Sequence, residues 1–340
     1  MSSTITQTLR VNDPREVLAA IAYRLGFHPA DSVVVVSLRG PRRALGLVAR
    51  IDLLDADQAA TTLAGHLVTD GADAALVVAY TDDADRAHDA TVFLDDALNA
   101  AGIAPVGVWW VTSTDYRPIN PQRPAQCPQT GQPLDLDTTI VAATMVTLGH
   151  AAASSRDSIG ITAAPQAARA LAAQAGEAWT VDPTPTGRAT GLGLWREALT
   201  TERTPQVAGR LAAALTDVLV RDAVLCDVIG DPDVATDVAA GTTSAAVGTT
   251  LAKVIDPATG VAPDPGVTGP ATDLLTYVAA HTTSAAALTL LAVLAWWDGD
   301  GARASVYVEA AHRIDADYRL AALVSDALGA GMAPGWLRTR

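Results

Sequence analysis

Residues 32–53 read SVVVVSLRGPRRALGLVARIDL. The unbroken valines Val33 to Val36 suit a strand buried on both faces, because β-branched side chains pack well on a pleated surface. Gly40-Pro41-Arg42-Arg43 is turn chemistry, and Leu45 to Leu53 resumes a strand pattern. The stretch is therefore expected to form an antiparallel hairpin.

Upstream, Asp13, Pro14 and Glu16 make a helix start, with Asp13 as N-cap and Glu16 at the capping-box position. Val17, Leu18, Ile21 and Leu25 follow at helical spacing. Gly26 suits the left-handed position that ends a helix, and Pro29 blocks continuation. Downstream, residues 56–69 read as a helix, 74–80 as an apolar strand, about 83–101 as a second helix, and 106–111 as a fourth strand. The order predicts an α/β N-terminal domain: a four-stranded mixed sheet with helices on both faces. Right-handed crossovers set strands two, three and four parallel.

The rest of the chain has a different texture. Tyr116 to Leu136 is rich in Pro, Gln and Asn and reads as a loop, and helices are expected over 138–148 and 160–176. Asp182 to Gly193 carries Pro183, Pro185, Gly187, Gly191 and Gly193 and is expected to be the linker. Domains are thus expected at 1–180 and 194–340, the second all-α. Val207 to Val228 reads as one helix and Asp256 to Pro270 as a loop. Gly299, Ala304, Ala311 and Ile314-Asp315 match the register of one tetratricopeptide-like helical hairpin, although Ala316 stands where the repeat has its closing proline.

Composition narrows the function. The chain has 340 residues, 23 Lys+Arg and 37 Asp+Glu, for a formal charge of −14. That surface repels phosphate backbones and argues against general nucleic-acid binding. The longest apolar run, 285–297, is shorter than the ~20 residues that span a bilayer, so no membrane role is expected. Cys127 and Cys226 cannot build a disulfide framework, and no secretory signal opens the chain, so a cytoplasmic location is expected. The histidines at 28, 66, 88, 150, 281 and 312 are scattered, and no metal-ligand spacing or structural zinc is read. Neither a phosphate loop nor a dinucleotide fingerprint is present, so no cofactor is identified.

Two constellations carry the remaining chemistry. Asp52, Asp82 and Asp115 follow strands two, three and four, so parallel strands would bring them to the carboxyl edge of the sheet, where open α/β sheets bind ligands. With Ser32 and Arg50 nearby they are the candidate catalytic residues. The competing role is capping, since Asp after a strand often starts the next helix. Alternation also sets Arg50 on the face of Asp52, so Arg50 is expected to pair with Asp31 or Asp52 and to be costly to remove. The second constellation is Trp296, Trp297, Asp300 and Tyr318 in the helical region. Neighbouring helix positions point about 100° apart, so one tryptophan is expected in the core and the other at a groove.

Gly26-Phe27-His28-Pro29-Ala30-Asp31-Ser32, Arg50-Ile51-Asp52-Leu53 and Trp296-Trp297-Asp298-Gly299-Asp300-Gly301 with Ala304 and Tyr318 resemble an actinobacterial family, domain of unknown function 4192. Members often carry paired cysteines in the middle segment, where this chain has Gln126-Cys127-Pro128. The resemblance implies the fold and a bacterial cytoplasm and brings no chemistry. The expected function is a cytoplasmic binding or adaptor protein, its helical groove joined to an α/β scaffold, with a protein or small molecule as partner. The alternative is an enzyme, metal-dependent or not, working at the carboxyl edge.

Overall fold

Asp13 caps the first helix, α1 (Pro14–Leu25), accepting from the Arg15 backbone N–H, and Gly26 closes it at φ 75°. Glu16 does something the capping box does not foresee. Its two carboxylate oxygens accept the Ile140 and Val141 backbone N–H groups, each at 2.9 Å, and so cap a helix far along the chain. The computed structural model describes residues 13–119, 131–148, 151–242 and 245–338, and its contacts divide the chain into two units, Met1–Ser158 and Ile159–Arg340. Cys127 lies outside the described residues.

In the first unit α1 is followed by β1 (Ser32–Arg39), β2 (Ala44–Asp52), α2 (Ala56–Thr69), β3 (Ala74–Tyr80), α3 (Ala84–Ala100), β4 (Ala104–Val111), β5 (Asp115–Pro118), β6 (Gln132–Pro133) and α4 (Ile140–Thr147). The strands form one mixed sheet in the order β2-β1-β3-β4-β5-β6. The hairpin expected at 32–53 is present, with β1 antiparallel to β2 and an irregularity between Val36 and Leu38. β1 is also antiparallel to β3, and β3 is parallel to β4, so β2, β3 and β4 share a direction. The sheet has six strands where four were expected. The two extra strands are short and lie in the stretch read as a loop, where Pro118 and Pro133 are tolerated at strand ends and a sheet edge.

α2 and α3 cover one face, where Val33, Val35, Ala75 and Val77 pack with Leu63, Leu67, Ala90 and Leu94. α1 lies on the other face, facing Leu38, Leu76 and Val78. Two-sided cover explains why β1 is apolar without alternation.

The second unit contains α5 (Gln166–Glu177), α6 (Pro185–Ala198), α7 (Pro205–Ala214), α8 (Val218–Ile229), α9 (Pro232–Ala239), α10 (Ala245–Ile255), α11 (Pro265–His281), α12 (Ala285–Trp297), α13 (Gly301–Ile314), α14 (Arg319–Gly329) and α15 (Gly335–Arg338). No strand is assigned in this unit among the described residues. α5 packs on α7 and α11 within it. The helix expected over 207–228 is two helices: the chain breaks after Ala214, and Asp217 caps α8 by accepting from the Leu219 N–H. α11 begins inside the segment read as a loop, because Asp264 caps it and Pro265 occupies its first turn. Every residue of α12 is buried, and α13 packs along it with Ala304 and Ala311 fully enclosed.

Candidate functional site

The strand directions bring the start of β1 and the ends of β2, β3 and β4 to one edge of the sheet. Ser32 stands opposite Asp52 on one side and Tyr80 on the other, and Tyr80 stands beside Val111. Cross-strand neighbours share a face, so Asp52, Ser32 and Tyr80 form a row on the α1 side. Arg50, opposite Val34, shares that face.

The carboxylates of Asp31, Asp52, Asp82, Asp83 and Asp115 are each engaged. Asp52 accepts from the Arg50 guanidinium at 2.6 Å. Asp82 accepts the Ser113 backbone N–H at 2.8 Å, tying the β3–α3 turn to the β4–β5 turn. Asp83 caps α3, accepting from the Asp85 and Arg86 N–H groups. Asp31, with φ at 42°, accepts from the Thr81 hydroxyl at 3.3 Å. Asp115 pairs with Arg117 at 2.6 Å, and Arg117 in turn lies over the Trp110 ring. The Arg117 hydrogen bond holds the Asp115 carboxyl below the usual carboxylate range, against a smaller opposing effect of burial. Among the described residues no group of three or more His, Cys, Asp or Glu could hold a metal ion.

The donors on the α1 face are a different matter. The Ser32 hydroxyl, the Tyr80 hydroxyl and the Arg50 Nε are buried and have no hydrogen-bond partner. Burial pushes the Tyr80 phenol upward, so it is protonated and offers a proton to an acceptor. Sequence reasoning selected Ser32 and Arg50 and missed Tyr80. The signal was available: a lone hydroxyl closing the apolar strand AALVVAY, in register with Ser32.

Arg50 pairs with Asp52, as expected, and not with Asp31. The pair differs from a fully buried one, because the Asp52 side chain is 58% exposed and the Arg50 side chain 15%. Asp52 would regain water if its partner were removed. Arg50→Ala is therefore expected to cost only about 1 kcal/mol, in place of the roughly 3–5 kcal/mol of a stranded buried charge. Urea denaturation measures this, and Arg50→Met should recover part of the loss through the buried stem.

In the second unit both tryptophans are enclosed, Trp296 at 7% and Trp297 at 2% exposure. This corrects the expectation that one would face a groove: α12 is surrounded on all sides, so no direction around it leads to solvent. Trp296 Nε1 donates to the Met332 carbonyl and Trp297 Nε1 to the Val261 carbonyl, at 2.7 and 2.9 Å. Asp300 caps α13 and pairs with Arg303 at 2.9 Å. The Tyr318 hydroxyl accepts from Arg221 at 3.2 Å.

The fold and its edge define a protein of two units, one an α/β unit with a mixed sheet and the other helical. The chain belongs to the family Domain of unknown function (DUF4192), whose model matches residues 14–335. No curated protein and no solved structure matches it. No helix among the described residues is long and apolar enough to cross a membrane.

Proposed function

We propose that the protein is a cytoplasmic binding or adaptor protein, its α/β unit holding a small ligand and its helical unit meeting a partner. One observation carries the first half: Ser32, Tyr80 and Arg50 hold three buried donors without acceptors on one face of the sheet. Unpaired buried donors are costly, and a bound acceptor offsets that cost. The neighbouring carboxylates Asp52, Asp82 and Asp115 already serve as partners to an arginine or a backbone N–H, which suits a scaffold. The helical half of the proposal rests on the α12–α13 pair, where the small residues Ala304 and Ala311 allow close approach, as in a tetratricopeptide-like hairpin. Since α12 is enclosed, the partner surface would be the exposed side of α13, with Trp296, Trp297, Asp300 and Tyr318 holding the pair by packing and capping.

An enzyme at the carboxyl edge is the second reading, favoured by the same unpaired Ser32 and Tyr80 hydroxyls beside Arg50. Stability separates the two. Structural carboxylates stabilise the fold, whereas catalytic ones are held in conflict and their removal often stabilises it. Asp82→Ala and Asp115→Ala are each expected to lower stability by about 1 kcal/mol, the scale of one ordinary hydrogen bond or one solvent-exposed ion pair. A rise in melting temperature for either variant would favour the enzyme.

A further inference from the structure

The α1 face of the sheet is not fully closed. A recess of about 200 Å³ lies between α1 and strands β1, β3 and β4. Val17 and Leu18 of α1 form one wall, and Leu38, Leu76 and Val106 form the sheet side. Leu76 sits mid-strand in the interior of the sheet yet is only partly buried, and Val106 is 37% exposed. At the floor, Gly107 lets Leu76 and Trp109 pack closely over the β4 backbone. A Cβ there would come within 2.8 Å of both Leu76 Cδ2 and the Trp109 indole nitrogen.

Two polar groups face this apolar space. Trp109 lines it, and among the described residues its indole N–H makes no hydrogen bond. Arg43 stands at the rim, exposed and without an ion pair among the described residues. Its backbone is held at φ 51° in the β1–β2 turn, a conformation that costs energy for a residue with a side chain. Among the described residues the one carboxylate on the lining, Asp13, is occupied by capping α1 and by its pair with Arg15 at 2.9 Å. An apolar recess with one cation and one N–H donor complements a small molecule with an apolar body and one anionic end.

We infer that this recess binds a small monocarboxylate with an aromatic or branched aliphatic body, its carboxylate paired with Arg43 and its body against Leu76 and Trp109. The recess is about 200 Å³ and open to solvent on one side, so the part of a ligand it encloses is a compact apolar body. The recess lies toward the Leu38 end of β1, away from Ser32, Tyr80 and Arg50, so the inference names a second site in the α/β unit and goes beyond the reading above.

The test titrates the full chain with 3-phenylpropionate, 4-methylpentanoate, the neutral 3-phenylpropanol and inorganic phosphate, by calorimetry and tryptophan fluorescence. The expected result is saturable binding of both carboxylates, with the alcohol and phosphate at least about tenfold weaker. Arg43→Gly relaxes the positive φ and so endangers no fold. It should weaken 3-phenylpropionate binding about tenfold or more while the alcohol is unaffected. Val106→Phe, at the exposed lip, should abolish binding, and Trp109→Phe should remove the fluorescence change. Absence of saturable binding at millimolar carboxylate would overturn the inference. So would binding that Arg43→Gly and Val106→Phe leave unchanged, although ligand binding by the protein would then still stand. Phosphate binding as tightly as the carboxylates would overturn the ligand class.

Discussion

Gly209→Ala should destabilise the helical unit by about 2–3 kcal/mol or more, the scale of a core forced to admit an extra methyl group. α7 crosses α5 so closely that a Cβ at Gly209 would fall on the Ala172 carbonyl oxygen, and would lie 2.7 Å from the carbonyl carbon and 3.0 Å from Cα. Those atoms belong to a helix backbone and cannot turn aside as a side chain can. The crossing is tight from the other side as well, since a Cβ at Gly176 would lie 3.0 Å from the Gly209 carbonyl oxygen. Helix propensity alone points the other way, because alanine is favoured over glycine by about 1 kcal/mol inside a helix. The sign of the measured change therefore reports the packing. Gly193→Ala in α6 is the control: it is exposed, its Cβ would meet nothing within 4 Å, and it should stabilise by a few tenths to about 1 kcal/mol. Thermal and urea unfolding of the two variants would show opposite shifts. Equal shifts of the same sign would mean that α5 and α7 are not in this contact.

Trp297→Ala should cost about 3–5 kcal/mol, the range for emptying a buried aromatic site. Its ring is enclosed in the helical core, and it joins two segments distant in sequence. The indole N–H reaches the Val261 carbonyl, and the Trp297 carbonyl accepts from Trp336 Nε1 at 2.7 Å. Truncation opens a cavity and strands the Val261 acceptor. Trp297→Phe keeps most of the packing but loses the donor, so it should fall between the variant with alanine and the native protein. A Trp297→Ala protein that melts like the native one would show that the ring lies at the surface.

The residues that were legible from sequence are those whose local chemistry and tertiary role agree. The valines of β1 read as a doubly covered strand because the sheet covers them twice. Gly26 reads as a helix end because its left-handed backbone is a local requirement. The common direction of β2, β3 and β4 was readable from the order of elements and right-handed crossovers, and the sheet has it. Other features needed the fold. β5 and β6 are too short and proline-flanked to stand out, and pair only because β4 offers an edge. The break between α7 and α8 was hidden because the apolar spacing continues through it, while Asp217 supplies a cap that looks like any helix-surface acid. Glu16 caps a helix more than a hundred residues away, a contact that no local pattern encodes. Tyr80 was overlooked because its importance lies in what its hydroxyl lacks.

The claim that the sheet-edge carboxylates hold structure is tested most directly at Asp115, by following its carboxyl carbon by NMR through an acid titration. The Arg117 hydrogen bond favours the ionised form, so the folded pKa should lie below the ordinary value of about 3.9. With the folded value depressed, the linked stability is fully present above the unfolded pKa and is lost as pH falls through the folded one. Asp115→Asn should accordingly flatten that acid limb. A carboxyl that titrates well above the ordinary value, toward about 5–7, would mean a proton shared with another acid at the edge, as in a catalytic pair, and would contradict the account.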